Sequence, residues 1–191
     1  GMQRFGVDTI AWIGDGTFFH AGIPALQNAV HNNAPIKVVV ADNQAVAMTG
    51  FQTNPQLGRT ATGDKVEPIM IEDIARASGV KHVEVVDPYD LDATEEAFKR
   101  MLGFEGVAMV IARRECAMVA VRNMRPERPP VYIVDQEACV GCKQCLNTYG
   151  CPALMWSEDE SKASIDTTLC MGCTSCAQVC PVGAIHRGDD R

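Results

Sequence analysis

Eight of the nine cysteines in this 191-residue chain are crowded into one segment near its C-terminus. They form two runs, in each of which three cysteines are separated by two residues and a fourth is followed by proline. The first run contains Cys139, Cys142, Cys145 and Cys151, and the second contains Cys170, Cys173, Cys176 and Cys180. Thiols at such close spacing are typical of metal ligands.

The spacing favours two [4Fe–4S] clusters over other uses of cysteine. A compact cluster needs four thiolates, and a loop with two-residue spacings directs only three of them inward. In ferredoxins with two clusters, the fourth cysteine of each run ligates the other cluster. We therefore predict that cluster 1 is bound by Cys139, Cys142, Cys145 and Cys180, and cluster 2 by Cys170, Cys173, Cys176 and Cys151.

Two alternatives, a zinc ribbon and a disulfide knot, fit this pattern less well. Zinc ribbons use pairs of cysteines rather than triplets followed by Cys-Pro. The N-terminal GMQRFG shows no export signal that would favour disulfides. The first run departs from the usual spacing, because five residues rather than three precede Cys151, and this indicates a longer connection. The ninth cysteine, Cys116, is predicted to be a small buried hydrophobic residue.

A second set of residues could hold a divalent cation. The apolar run TIAWI leads directly into Gly14-Asp15-Gly16, and the run IKVVVA ends at Asp42-Asn43. Both runs are predicted to be buried strands of a parallel sheet, and open α/β sheets bind ligands at the carboxyl ends of their strands. Oxygen atoms of Asp15 and Asn43, with a nearby backbone carbonyl, suit Mg2+. A GDG sequence alone also occurs in ordinary turns.

This pair of segments resembles the thiamine diphosphate (ThDP) motif, in which GDG is followed after 25 to 30 residues by a closing asparagine. In that family the aspartate, the asparagine and a carbonyl two residues later hold Mg2+. The resemblance implies that Asp15, Asn43 and the Ala45 carbonyl do so in this chain. It also implies that Gly14 and Gly16 let the backbone approach the diphosphate closely.

Longer stretches of the chain point to one branch of the ThDP enzymes. GDGTFFHAGIPALQNAV and VVVADNQAVAMTGFQ, followed by the two cysteine runs, are similar to the α subunits of indolepyruvate:ferredoxin oxidoreductases. The resemblance covers essentially the whole chain and is strongest at residues 10–52 and 139–181. It implies oxidative decarboxylation of an aryl 2-oxo acid to its acyl-CoA, with electrons passing through both clusters to an external ferredoxin. A β subunit and coenzyme A are the further partners it implies.

The sequence alone leaves the roles of three further residues open. Thr49 and Gly50 follow Asn43 and could contact the diphosphate, or they could form an ordinary turn. His20 lies just past GDG and is a candidate catalytic residue, with local capping or packing as the alternative. ThDP enzymes also need a glutamate from a separate domain, of which this chain shows no sign. We therefore expect the chain to be a fragment or a split subunit that is inactive alone.

Some alternative functions stay open at the level of sequence, and others are disfavoured by the cysteines, the charge or the hydropathy. The substrate could instead be pyruvate, 2-oxoglutarate or phenylglyoxylate, and the chain could be a pure electron-transfer subunit with a vestigial ThDP site. A ThDP lyase without redox chemistry is disfavoured by the cysteines. The net charge of −7, with no basic stripe, argues against nucleic-acid binding. Because no apolar run approaches the roughly 20 residues of a membrane span, we expect a cytoplasmic protein.

The remaining sequence predicts the elements that position these residues. Apolar or β-branched runs predict strands at residues 9–14, 36–41, 82–86 and 107–112. Helices are predicted at residues 22–33, 71–78 and 90–102, and a polar loop at residues 43–65. This alternation predicts an α/β fold with a mostly parallel sheet. We divide the chain into an N-terminally incomplete ThDP-binding domain, a linker and a small α+β ferredoxin-like domain, over residues 1–113, 114–130 and 131–191.

Overall fold

The computed structural model describes residues 9–124 and 129–188, and the chain divides into two compact units. The division falls between Val119 and Ala120, inside the segment predicted as a linker. Predictions that concern residues 125–128 of that segment, or the two chain ends, lie outside the described residues.

A four-stranded parallel sheet forms the centre of the first unit. Its strands are β1 (Ile10–Gly14), β2 (Lys37–Asp42), β3 (His82–Val86) and β4 (Ala108–Arg113). They lie in the order β1-β2-β4-β3, and every neighbouring pair is parallel. All four predicted strands and the parallel α/β class are thereby confirmed. The prediction that β1 is buried is wrong, because β1 lies at the edge of the sheet and its Ile10 and Trp12 side chains are exposed.

Helices connect the strands of this sheet. A continuous helical segment follows β1 and consists of α1 (Asp15–Thr17), a π-helical stretch (Phe18–Gly22) and α2 (Ile23–His31). The crossover into β3 contains α3 (Ile71–Ala77), and the crossover into β4 contains α4 (Leu91–Gly103). None of the helices in the described part of the chain combines the length and apolar character needed to cross a lipid bilayer.

The first helix starts earlier than its apolar periodicity predicts. The sequence places its beginning at residue 22, whereas the structure begins the helical segment at Asp15, directly after β1. Gly14 is extended, with φ −77° and ψ 156°, so the turn from strand to helix is made in a single step. The prediction for α4 is confirmed together with its N-cap, because the Asp90 side chain accepts a hydrogen bond of 3.0 Å from the Ala93 N–H.

Both faces of the sheet are covered at its central strands, β2 and β4, which explains why these strands are almost continuously apolar. Side chains at alternating positions of a strand point to opposite faces. One face carries the larger core, which includes Phe18, Leu26, Val38, Val40, Ile71, Ala75, Met109 and Ile111. The other face packs beneath α4 in a smaller core of Val39, Ala97, Met101, Ala108 and Val110. These two layers fix the sheet edge at which β1, β2 and β4 end.

The segment predicted as a linker contains a helix, α5 (Ala117–Met124). Alanine, methionine and arginine have high helix propensity, whereas the prolines that suggested a linker begin only at Pro126. The linker prediction was therefore incomplete, because the basic composition of the segment was given more weight than the helix propensity of its first part.

The second unit is a small α+β arrangement of two antiparallel strand pairs. β5 (Tyr132–Val134) pairs with β8 (Ile185–Arg187), and β6 (Leu154–Ser157) pairs with β7 (Lys162–Ile165). Two short helices, α6 (Gln144–Thr148) and α7 (Ser175–Gln178), follow the cysteine loops. The α+β class predicted for this unit is confirmed by these strand pairs and helices.

Candidate functional site

The carboxylate of Asp15 is buried at the carboxyl end of β1, and the residue is only 3% exposed. Its Oδ1 accepts the Gly16 N–H at 2.7 Å, and its Oδ2 accepts the Asn54 side-chain amide at 2.8 Å. Burial raises the pKa of Asp15, the Gly16 N–H opposes this rise, and the charge of Asp42 adds to it. Asp15 is therefore held in place by neutral donors that only partly offset the cost of its burial.

A second buried carboxylate, Asp42, ends β2 and is paired with a guanidinium. Its Oδ2 accepts the Arg113 Nε–H at 2.6 Å, and its Oδ1 accepts the Gln56 amide at 2.5 Å. Arg113 ends β4, the neighbouring strand, and also forms a two-pronged ion pair with Glu72 at 3.0 and 2.6 Å. The hydrogen bonds from Arg113 hold the pKa of Glu72 below its usual value, and the Arg113 pKa is raised.

Asn43 and Ala45 lie beside Asp15, as the sequence predicts for residues that act together. The Asn43 side-chain oxygen accepts the Ala45 N–H at 3.1 Å, and its backbone carbonyl accepts the Cys116 N–H at 2.9 Å. The Ala45 N–H also lies close enough to the Asp15 carboxylate to act on its pKa. The three residues named by the ThDP motif thus meet at one edge of the sheet, where two strands end.

Position 16 favours glycine because the side chain of Val46 lies very close to it. A Cβ atom there would lie 2.9 Å from Cγ2 of Val46, which follows the β2 loop. A contact that short would force Val46 and the loop around Asn43 outward. The second glycine of GDG therefore lets the first helical turn pack closely against the loop that carries Asn43 and Ala45.

The charges at this edge do not balance. Asp15, Asp42 and Glu72 supply three carboxylates, and Arg113 supplies one guanidinium. At this edge, Arg113 forms ion pairs with Asp42 and Glu72. None of the ion pairs among the described residues includes Asp15. Buried charges in proteins are paired or coordinate a metal. The donor set of carboxylate, amide and carbonyl oxygens beside Asp15 is the kind that Mg2+ prefers, so the residues present fit this cation.

Three other predicted residues lie apart from this cluster. Thr49 and Gly50 belong to an exposed turn, in which the Thr49 hydroxyl donates to the Gln52 side chain at 2.6 Å and Gly50 has φ +122°. His20 is exposed on the π-helical stretch after α1. No hydrogen bond within the described part of the chain joins any of the three to Asp15 or Asn43.

Sequence reasoning missed the residues that support the two carboxylates: Asn54, Gln56, Glu72 and Arg113. Asn54 and Gln56 are buried although they lie in the segment predicted as a polar loop. A short 3₁₀ helix, Pro55–Leu57, is capped by the Asn54 side chain and holds both amides at the sheet edge. Arg113 offered one usable signal, because a charged residue that ends a buried parallel strand lies at the ligand-binding edge.

In the second unit, the four cysteines predicted for cluster 1 line one cavity. Cys139, Cys142 and Cys145 come from the first run, and Cys180 comes from the second. Burial raises the pKa of the Cys145 thiol, and the nearby Cys180 and Cys142 add to this rise. The fold therefore brings the last cysteine of the second run beside the first.

The four cysteines predicted for cluster 2 show the reciprocal arrangement. Burial raises the pKa of the Cys176 thiol to about 11, and the neighbouring Cys173, Cys170 and Cys151 contribute further. Cys151, which ends the first run, thus lies among the thiols of the second run. The additional residues before Cys151 do not prevent this crossing.

The two cysteine loops have the same backbone course. Gly141 and Gly172 have φ +67° and +66°, and Lys143 and Thr174, two residues later, have φ 59° and 67°. A Cβ atom would lie 2.4 Å from a carbonyl oxygen at Gly141 and 2.3 Å from one at Gly172. Both loops therefore require glycine at this position, where left-handed backbone and close packing coincide.

Backbone donors in the unit suit negatively charged sulfur. The Ala184 N–H points to Cys180 Sγ at 3.3 Å, and the Tyr132 N–H points to Cys170 Sγ at 3.5 Å. Hydrogen bonds of this kind to cluster sulfurs are a recognised feature of iron–sulfur proteins. Within residues 9–124 and 129–188, no three His, Cys, Asp or Glu side chains are grouped closely enough to hold a single metal ion. The eight thiols nonetheless form two sets of four, which fits two [4Fe–4S] clusters.

Comparisons with known families agree with both sites. Residues 1–112 match the C-terminal TPP binding domain of thiamine pyrophosphate enzymes, and residues 163–186 match a 4Fe-4S binding domain. The first match covers more than half of the chain, so the chain belongs to the thiamine pyrophosphate enzymes. The particular relatives found among curated proteins are indolepyruvate oxidoreductase subunits, and the predicted resemblance is thereby confirmed.

The relatives differ in sequence identity and in the share of each chain that the match covers. Indolepyruvate oxidoreductase subunit IorA of Pyrococcus horikoshii is 48% identical over 93% of this chain, which spans 28% of that subunit. An uncharacterized ferredoxin of Methanocaldococcus jannaschii is 38% identical over 28% of this chain and 71% of its own length. A solved 2-oxoglutarate:ferredoxin oxidoreductase from Magnetococcus marinus is 22% identical, with a TM-score of 0.49 over 56% of this chain and 40% of that chain.

Replacing Arg113 by methionine should strongly destabilise the first unit. The change leaves Asp42 buried without its cation beside Asp15, and breaking such a pair costs about 3 kcal/mol or more. Chemical denaturation followed by circular dichroism measures the free energy of unfolding.

The matched control is Arg100→Met, which removes a guanidinium from an exposed pair with Glu84. Exposed ion pairs contribute little, so this variant should unfold close to the wild type. Equal stability of the two variants would show that the Arg113 network does not hold the sheet edge together.

Proposed function

We propose that this chain is the part of an α subunit that binds Mg–ThDP and carries two [4Fe–4S] clusters in a 2-oxoacid:ferredoxin oxidoreductase. One observation carries the proposal: a cation-demanding cluster of oxygen ligands and two sets of four thiols occur in the same polypeptide. The first supplies a site for the cofactor that releases electrons, and the second supplies a route for single electrons.

In this proposal the Asp15 carboxylate, the Asn43 side-chain oxygen and the Ala45 carbonyl hold Mg2+. Gly14 and Gly16 leave the backbone open to the diphosphate that shares the metal. The N–H groups already bonded to Asp15 and Asn43 orient these oxygens, and each oxygen keeps a second lone pair for the metal. ThDP supplies a carbon nucleophile and an electron sink for decarboxylation of a 2-oxo acid.

Residues beyond the metal ligands act by keeping the site dry and rigid. Gln56 and Arg113 neutralise and fix Asp42, so that its charge is not free to compete for the metal. Asn54 fixes the second oxygen of Asp15. Preorganised ligands of this kind avoid reorganisation when the cofactor binds. For Thr49 and Gly50 we propose diphosphate contacts made by the exposed turn, and for His20 a role toward substrate.

We propose that the overall reaction converts an aryl 2-oxo acid anion and coenzyme A into the acyl-CoA, CO2 and one proton, which comes from the thiol of coenzyme A. Two electrons are released for each substrate molecule, and two oxidised ferredoxin molecules take one each. The ligand sets are Cys139, Cys142, Cys145 and Cys180 for cluster 1 and Cys170, Cys173, Cys176 and Cys151 for cluster 2. The similarity to indolepyruvate oxidoreductase subunits supports an indolepyruvate-type substrate and a partner subunit. We propose in addition that the partner is a β subunit and that the protein is cytoplasmic.

Asp15→Asn should abolish Mg–ThDP binding, because it removes the negative charge that the cation balances. Isothermal titration of the complete polypeptide, assembled with its partner subunit, measures the affinity, which we expect to fall by more than about 100-fold. The control is Asp64→Asn, since Asp64 lies in an exposed turn with Thr60 and Thr62. Unchanged affinity in Asp15→Asn would contradict the assignment.

The crossed cluster ligation predicts which variants resemble each other. Cys180→Ala and Cys142→Ala should both lose the cluster 1 signal in electron paramagnetic resonance (EPR) spectra, although they lie in different runs. Cys151→Ala should instead resemble Cys173→Ala. Iron analysis of the wild-type chain should give about eight iron atoms, four for each cluster. If Cys180→Ala resembled Cys173→Ala, each run would bind its own cluster.

Substrate preference is tested by an anaerobic assay of the same assembled enzyme. Indolepyruvate, phenylpyruvate, pyruvate and 2-oxoglutarate are each offered with coenzyme A, and reduction of a viologen dye is followed. We expect the aryl pyruvates to be preferred. Preference for pyruvate or 2-oxoglutarate would overturn the aryl substrate, and no reduction with intact clusters would indicate a pure electron-transfer subunit.

A further inference from the structure

The indole N–H of Trp156 is buried and has no hydrogen-bond partner among the described residues. Burying a hydrogen-bond donor without an acceptor is destabilising, because the donor loses its bond to water. Buried donors in native proteins are nearly always satisfied, so an unpartnered one calls for an explanation, such as an ion or a cofactor. The surroundings of Trp156 indicate which acceptor this is.

Trp156 forms part of the wall of the cavity that the cluster 1 cysteines line. It lies on β6 opposite Ala163 of β7, and Ala163 lines the same cavity. Leu154, two residues earlier and therefore on the same face of β6, packs in the core of the unit beside Cys145. The indole therefore borders the same cavity as the thiols, and a group that fills this cavity lies within reach to supply the missing acceptor.

Lys143 fixes the ring in this position. Its Nζ lies 4.0 Å from the centroid of the Trp156 ring, within the range of a cation–π contact. Gly141 approaches from the same loop, because a Cβ atom there would lie 3.6 Å from Cη2 of Trp156. The loop that carries Cys139 and Cys142 therefore holds the indole from one side.

The equivalent position in the second cysteine loop has no such donor. Gly172 corresponds to Gly141, and it packs against the carbonyl and ring of Pro130. Proline has no N–H to donate. Thr174 corresponds to Lys143 in backbone conformation but carries no charge. The Tyr149 side chain lies near Cys173 and Cys176, and its hydroxyl oxygen accepts a hydrogen bond from Ser175 but carries no charge.

Backbone N–H groups, in contrast, point to thiols of both sets. Cys180 of cluster 1 accepts the Ala184 N–H, and Cys170 of cluster 2 accepts the Tyr132 N–H. The side-chain difference between the two loops is the indole and the positive charge of Lys143 beside cluster 1. Hydrogen bonds to sulfur and nearby positive charge both stabilise the reduced cluster, which carries the greater negative charge.

We propose that the Trp156 N–H donates a hydrogen bond to a sulfur of cluster 1 and, together with Lys143, gives cluster 1 the higher reduction potential of the pair. The inference rests on the clusters of the proposed function. It makes Trp156 a positioning and tuning residue rather than a ligand. Electrons then pass from cluster 2 to cluster 1, whose Cys142 is exposed and marks the exit toward the acceptor.

The first test compares Trp156→Phe with the wild-type chain by redox titration followed with EPR. Phenylalanine keeps the aromatic packing and removes the N–H. We expect the potential of cluster 1 to fall and that of cluster 2 to stay unchanged. The matched control is Trp12→Phe, because Trp12 is exposed in the first unit and should alter neither potential. An unchanged cluster 1 potential in Trp156→Phe would overturn the inference.

A second measurement covers the case in which Trp156→Phe fails to assemble its clusters. The Trp12→Phe chain contains Trp156 as its single tryptophan. Labelling its indole with 15N and reducing cluster 1 should show an exchangeable proton and a 15N nucleus coupled to the cluster by electron–nuclear double resonance. Intact clusters without this coupling would refute the hydrogen bond alone. Wild-type chain without iron would refute the proposed function as well.

Discussion

Charge balance at the carboxyl edge of the parallel sheet is the constraint on which the first unit depends. Two buried aspartates end neighbouring strands, and the guanidinium of Arg113 is shared between Asp42 and Glu72. Asp15 is bonded to neutral donors, and burial raises its pKa. Asn54 and Gln56, in the loop between β2 and α3, donate to Asp15 and Asp42 and so tie this loop to the sheet edge. Fold and cofactor site are therefore one network.

The second unit depends on metal in a different way. Its core is small and contains the ligands themselves, since Cys145 is buried with Val134, Leu154 and Ile185. Domains of this size bury too little apolar surface to be strongly stable alone, and they commonly rely on metals or disulfides. In the proposed function, ligation of the eight thiols supplies folding free energy as well as redox function. The proposed crossed ligation adds to this, because each cluster would tie the two runs together.

The sequence predicted the parts of the structure that repeat a local pattern. The β-branched runs gave the strands of the parallel sheet, and Asp90 gave the start of α4. The spacing of the cysteines indicated the clusters, because two-residue gaps have few other uses. GDG and Asn43 were placed at one edge of the sheet for a related reason, since both follow parallel strands whose carboxyl ends meet there.

Features that depend on tertiary contact were beyond sequence reasoning. Asn54 and Gln56 looked like loop residues, and only the folded chain shows that they reach Asp15 and Asp42. Trp156 likewise carries no sequence signal, because its significance lies in a missing partner. Helix α5 was overlooked since nearby prolines and basic residues outweighed its helix propensity. In each case the deciding contact joins residues far apart in the chain or depends on burial.

The central claim is that the charge of Asp15 is balanced by a cation that the cofactor shares. The most direct measurement is a titration of ThDP into the complete, assembled polypeptide at a series of Mg2+ concentrations. Because the two ligands bind at one site, each must raise the affinity of the other equally. The account predicts ThDP affinity that rises with Mg2+ and is lost in a chelator. Affinity that is independent of Mg2+ would contradict it.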